Sequence, residues 1–218
     1  MPILPVLLLA AAQARVQISV VVRSANSEQE AVLSKYGRKA QATAEAAYPK
    51  ILKLLDTTGR GTTIIQIIVA NDLQPHDGKI AWTNTSWDPN TVRGDICIPA
   101  QSANPDDLGM VVHELMHVVQ VGYRDCPNWL VEGIADYVRY YWFDPISRRP
   151  RPGAGSNCTD GYGTTAAFLD WTAHRYAPNL LRNLDQGFRS GVSAEAIFRS
   201  ATRKTIDQLN TEWKRTLR

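Results

Sequence analysis

His113, Glu114 and His117 fall in the string HELMH, the HExxH arrangement in which two imidazoles and a carboxylate can serve one metal ion. On a helix, residues four apart share a face, so His113 and His117 can present ring nitrogens to a single zinc at about 2.0 to 2.1 Å. Glu114 projects beside them, next to the metal and not bound to it. There a carboxylate can act as general base toward a water whose pKa the metal has lowered from about 15.7 toward 7. The chemistry open to such a group is metal-assisted hydrolysis, with one catalytic Zn2+ as cofactor.

Zinc in a hydrolytic site takes three protein ligands and keeps a fourth position for water, so a third ligand is needed. Glu132 and Asp136 supply candidates. They stand four apart in NWLVEGIADYVR, among Trp129, Leu130, Ile134, Ala135 and Val138, so both carboxylates leave one face of a second helix. A metal-bound imidazole usually donates its other N–H to a carboxylate or carbonyl. Glu132 is therefore assigned as the ligand and Asp136 as the partner that orients His113. Solvated helix carboxylates are the plain alternative, which the apolar neighbours argue against.

The elements that must position these residues can be read from periodicity. Val111, Val112, Leu115, Met116, Val118 and Val119 surround the histidines with apolar side chains, and two imidazoles inside such a helix need a strong polar partner. Asn104 as cap, Pro105 in the first turn, Asp106 and Asp107 at the positive end, and Gly122 as stop frame this metal helix. Ahead of it, strands are expected at 16–23, 63–70, 79–83 and 94–98, with a long helix within 27–55. After it come helices at 129–142, 164–176, 178–189, 193–201 and from 206. Strands mixed with helices, followed by a helical tail, predict an α+β domain with a small twisted sheet above the metal helix.

The runs HELMHVVQ, WLVEGIADYVR and DGYGTTAAFLDW, in that order and closely spaced, resemble the basic secretory protein family of plants, fungi and bacteria, a group of zincin-type metallopeptidases. The resemblance covers roughly residues 94 to 217. It implies a zincin-like metallopeptidase domain and a single zinc held by His113, His117 and Glu132. It also implies Glu114 as general base, peptide or protein as substrate, and a secreted protease or defence-related role. His117 and Glu132 stand closer in sequence than in the best-known zincins with a glutamate ligand, which leaves Asp136 open as the third ligand. A donor for the developing oxyanion is also required. Tyr162, in a Gly-Tyr-Gly turn, is the first candidate, with Tyr137 and His174 as rivals.

Residues 1–14, MPILPVLLLAAAQA, read as a signal peptide ending in a small-residue pattern, so residues 15–218 are expected to form one secreted domain. The run is too short to span a bilayer comfortably, and no later segment is long and apolar enough, so no membrane partner is expected. Net charge is +3, and no aromatic-interleaved basic stripe appears, which disfavours nucleic acid. Arg148, Arg149 and Arg151 form the one basic cluster, first a solvated loop and second a contact for an anionic surface or substrate. Cys97, Cys126 and Cys158 give an odd count; Cys126 and Cys158 flank the second helix and its loop, so a disulfide between them is favoured. Asn84 and Asn157 stand in glycosylation patterns. The segment Lys79 to Asn84 is a candidate edge strand for substrate. A monomer is expected. A secreted binding or defence protein that keeps a zinc site without much proteolysis is the alternative function, and a structural zinc is disfavoured because such sites are usually closed by four ligands.

Overall fold

A computed structural model of the chain describes residues 15–58, 61–74 and 79–217. The leader expected over 1–14 lies outside them. Four strands form one mixed sheet in the order β1-β2-β4-β3: β1 (Arg15–Arg23), β2 (Thr62–Ala70), β3 (Trp82–Trp87) and β4 (Thr91–Pro99). β1, β2 and β4 are parallel, and β3 runs antiparallel to β4 as an edge strand. The parallel step from β1 to β2 needs a crossover, supplied by α1 (Ser27–Leu55). Asn26 caps α1 by accepting from the Gln29 backbone N–H.

Alternation decides which face of the sheet is covered. Ile65, Ile67 and Val69 of β2 and Val92, Ile96 and Ile98 of β4 share one face and are all buried. α1 and α2 (Gly109–Val119) pack there. The approach is close at glycines. A Cβ on Gly37 would lie 2.7 Å from Val20 of β1, and one on Gly94 would lie 2.5 Å from Val118 of α2. Ten of the eleven residues of α2 are buried, so its β-branched valines are held helical by packing on every side and not by propensity.

The remaining helices are α3 (Asn128–Tyr137), α4 (Tyr162–Arg175), α5 (Leu180–Arg189), α6 (Ala194–Thr202) and α7 (Ile206–Lys214). The observed class is thus α+β, with a small mixed sheet and a helical C-terminal half. Four expectations need correction. The third strand begins at Trp82, later than 79. The metal helix begins at Gly109, because the Asn104 side chain accepts from the Asp106 N–H in a tight turn and Asp107 turns away to Arg139. The second helix gives way after Tyr137 to a π-helical stretch, Val138–Phe143, where the Asp144 N–H reaches back five residues to the Arg139 carbonyl. That wider turn carries Asp144 onto the start of α2, where a Cβ on Gly109 would lie 2.4 Å from its carboxylate.

The fourth correction concerns sulfur. All three cysteines are free, and Cys126 and Cys158 are not bridged. α3 and α4 are antiparallel neighbours, and the Cys158 carbonyl accepts from Thr165, which lies against Gly133 in the middle of α3. Cys126 instead precedes the first turn of α3. The two thiols therefore stand beside different stretches of α3.

Gly133 is where α3 and α4 touch most closely, since a Cβ there would lie 2.1 Å from Thr165 Cγ2. Helix propensity alone favours alanine over glycine in a helix interior by about 1 kcal/mol. Overpacking costs about 1–3 kcal/mol and acts in the opposite direction. Gly133→Ala is expected to lower stability in chemical denaturation; a gain would mean the two helices can part freely.

Candidate active site

α2 and α3 present their functional side chains to one another across a small gap. His113 Nε2 and His117 Nε2 are 3.2 Å apart, and Glu132 Oε2 lies 3.3 Å from the first and 3.5 Å from the second. Three ligands of a tetrahedral ion with bonds of about 2.0–2.1 Å would be separated by about 3.4 Å. The triangle therefore has the size of one face of a zinc coordination shell. Among the described residues these three form the one group of His, Cys, Asp and Glu whose ligand atoms converge in this way.

The protonation pattern of the rings follows from their other partners. Gln120 donates its amide N–H to the Val131 carbonyl at 2.8 Å, which leaves its oxygen to face His117 Nδ1, also at 2.8 Å. An oxygen there requires Nδ1 to carry the proton. His113 Nδ1 stands 2.6 Å from Asp136 Oδ1 and donates likewise. In the neutral rings both Nε2 atoms are then lone pairs, and with Glu132 they make three acceptors facing one point with no donor. That field attracts positive charge. Burial opposes protonation of His113, but its bonds with Asp136 and Glu132 outweigh this and raise it to about 9. Burial likewise works against the Glu132 carboxylate, yet bonds from His113 and His117 hold its pKa well below the ordinary range.

The two acids thus occupy different places: Glu132 among the converging atoms, Asp136 on the far side of the His113 ring. Glu114 is buried beside them, and its Oε2 accepts from Thr83 Oγ1 of β3 at 2.7 Å. A cleft of about 1050 Å³ runs over these groups between β3 and the loop that follows the π-helical stretch. Tyr162 lines it. Its ring lies nearly parallel to that of His113 with centroids 6.2 Å apart, and it is 49% exposed. Gly161 before it has φ 82°, and Tyr162 itself has φ 45°, so the turn projects the phenol over the site from a backbone that few residues adopt. Burial first, and then the charges of Glu132, Asp136 and Glu114, raise the phenol's pKa, so it stays a donor. Gly163 serves packing, since a Cβ there would lie 2.6 Å from Pro150. Tyr137 stacks on Tyr141, and the largely exposed His174 pairs with Asp170; neither lines the cleft.

Residues 98–213 match the model of a family described as peptidases of plants and bacteria. The chain belongs to this family. It is the same basic secretory protein family that the HELMHVVQ, WLVEGIADYVR and DGYGTTAAFLDW runs resemble. No curated protein matches the chain. Family membership supports a peptidase-type function, with peptide or protein as the substrate class.

Two contributors, Gln120 and Thr83, were not given these roles from the sequence. Gln120 ties the His117 ring to α3, and Thr83 ties Glu114 to the edge strand. Gln120 ends the HELMHVVQ run, three residues beyond His117, a spacing that could have marked it as a helix-face partner. Thr83 could not have been found, because its contact depends on how β3 lies across α2. Outer partners of metal ligands typically account for 10- to 100-fold in affinity. Gln120→Met is accordingly expected to weaken binding of a divalent metal by about that factor while Glu132→Ala abolishes it, as measured by competition with a chromogenic chelator. Unchanged affinity in Gln120→Met would deny it a part in the site.

Proposed function

We propose that this protein is a zinc-dependent peptidase with a zincin-like catalytic domain, acting outside the cell. The observation that carries the reading is the convergence of His113, His117 and Glu132, two imidazoles and a carboxylate with both Nδ1 protons committed elsewhere. That donor set and spacing suit zinc. Bound there, zinc would supply a Lewis acid that acidifies water and polarises the scissile carbonyl.

The chain's own groups do the rest. Glu114 takes the proton of the attacking water on its carboxylate and delivers it to the departing amine nitrogen, so that base and acid are the same group in succession. Thr83 orients that carboxylate from above. The Tyr162 hydroxyl, kept protonated, donates to the oxygen on which negative charge develops. Asp136 and Gln120 hold the two imidazoles in the tautomer that leaves Nε2 free. β3 is the edge strand of the sheet beside the cleft, a position that suits an extended peptide.

Purified protein is expected to hydrolyse an unstructured protein, to stop in chelator, and to recover with zinc. In Glu114→Gln the amide keeps the shape but cannot accept the proton, so activity should fall by at least about 10² while metal content stays near one equivalent. Wild-type turnover in that variant would remove Glu114 from the mechanism. Tyr162→Phe deletes one hydroxyl and should lower kcat by about 10²–10³ with metal content unchanged. A kcat within twofold of wild type would assign the tyrosine to packing.

A further inference from the structure

The cleft is electrically lopsided along its length. β3 runs in the same direction as α2: Thr83 bonds Glu114, and Thr85 is paired with Gly94, which lies against Val118. Trp82, which precedes Thr83, therefore lies toward the N-terminal end of α2, and the segment leading into β3 on that side carries Lys79, which lines the cleft. Arg139 reaches that end by its bonds to Asp107, and Arg148 by its bond to the Asp106 carbonyl. Arg151 follows Pro150, which packs on Gly163 next to Asp136. Among the described residues, the four Lys and Arg side chains of the cleft wall thus gather toward that end. The opposite end is walled by Val121, Tyr123 and Val131, where no Lys or Arg lines the cleft among the described residues.

These cations differ in how far they are already neutralised. Arg139 and Arg148 share Asp107 and Asp144, neither of which lines the cleft. Lys79 and Arg151 are exposed, and no ion pair engages either of them among the described residues. Among the described residues outside the metal triangle and its neighbours, Asp160 is the one acid on the wall, and its Oδ2 is occupied by the Asn157 N–H. Lys79 on the β3 side and Arg151 on the loop side are left to face whatever enters between them.

We propose that this arm of the cleft selects peptides bearing acidic side chains on the side of the scissile bond that lies over the N-terminal end of α2. The proposal rests on the peptidase reading and names its substrate class. Lys79 precedes Thr83 by four residues, at most about 13 Å of extended chain, which places the preferred acids two to four positions from the bond cut. Exposed charge pairs are individually weak, so two of them set a preference and not an absolute requirement.

The test uses the full zinc-loaded protein and quenched-fluorescence peptides sharing one core, whose cleaved bond is mapped by mass spectrometry. A pair of Glu, Gln or Lys is placed either before or after that bond. The expected result is a kcat/KM about 5- to 20-fold higher for Glu than for Gln on one side only, with Lys lowest, and a ratio that shrinks toward one at about 0.5 M salt. Lys79→Gln/Arg151→Gln should bring the Glu:Gln ratio below about two. Equal rates for Glu and Gln peptides in the wild type, or a ratio untouched by the double variant, would overturn the proposal while leaving chelator-sensitive cleavage of the Gln peptide to stand for the peptidase reading. Failure to cut any peptide would overturn both.

Discussion

Lone pairs on two imidazole nitrogens and a carboxylate oxygen repel when they face one point within 3.5 Å, unless positive charge lies between them. The surroundings remove the ways out. Asp136 and Gln120 commit both Nδ1 protons, and the Val131 carbonyl commits the Gln120 amide. A cation of the right size resolves the conflict, and the same pull is visible in how strongly His113 holds a proton. The proposed metal, the catalytic reading built on it and the parts given to Asp136 and Gln120 all rest on that constraint.

Holding the three atoms to within tenths of an ångström requires that α2 and α3 not slide. The C-terminal end of α2 is clamped by Arg189, whose guanidinium donates to the Val119 and Val121 carbonyls and is itself paired with the fully buried Asp185. Free carbonyls at a helix end are natural partners for a cation. Tyr123 also donates to Asp185, so a residue of the cleft wall belongs to the same network. At the other end, Asp144 rests on Gly109. Glycines at 94 and 133 let the sheet and α4 press directly on the two site helices. Removing one member of a buried charge pair such as Arg189–Asp185 leaves the other uncompensated, which is why these supports act as a unit.

Much of this was legible in the chain. The α1 and β2 limits, the order of the C-terminal helices and the pairing of Glu132 with HExxH all follow from periods of two and about 3.6 together with i,i+4 geometry. The misses have physical causes. Asn104 and Pro105 look like a helix start, but Asp107 finds a stronger partner in Arg139, 32 residues further along the chain and outside any local pattern. The π-helical stretch after Tyr137 keeps a helical periodicity in its side chains while its backbone bonds shift by one residue. Free thiols at 126 and 158 flank one helix in sequence yet lie at different levels of it in space. Thr83 is a strand threonine like any other until the sheet is laid across α2.

Thr83 has one hydroxyl proton and two acceptors on Glu114: the carboxylate at 2.7 Å and the backbone carbonyl at 3.1 Å. It can serve only one at a time. If the carboxylate turns away, as the proposed mechanism requires, the hydroxyl can pass to the carbonyl without becoming a stranded donor, which would otherwise cost about 1–3 kcal/mol. The proposed base can therefore turn without stranding the hydroxyl that holds it, in a site whose other members are pinned.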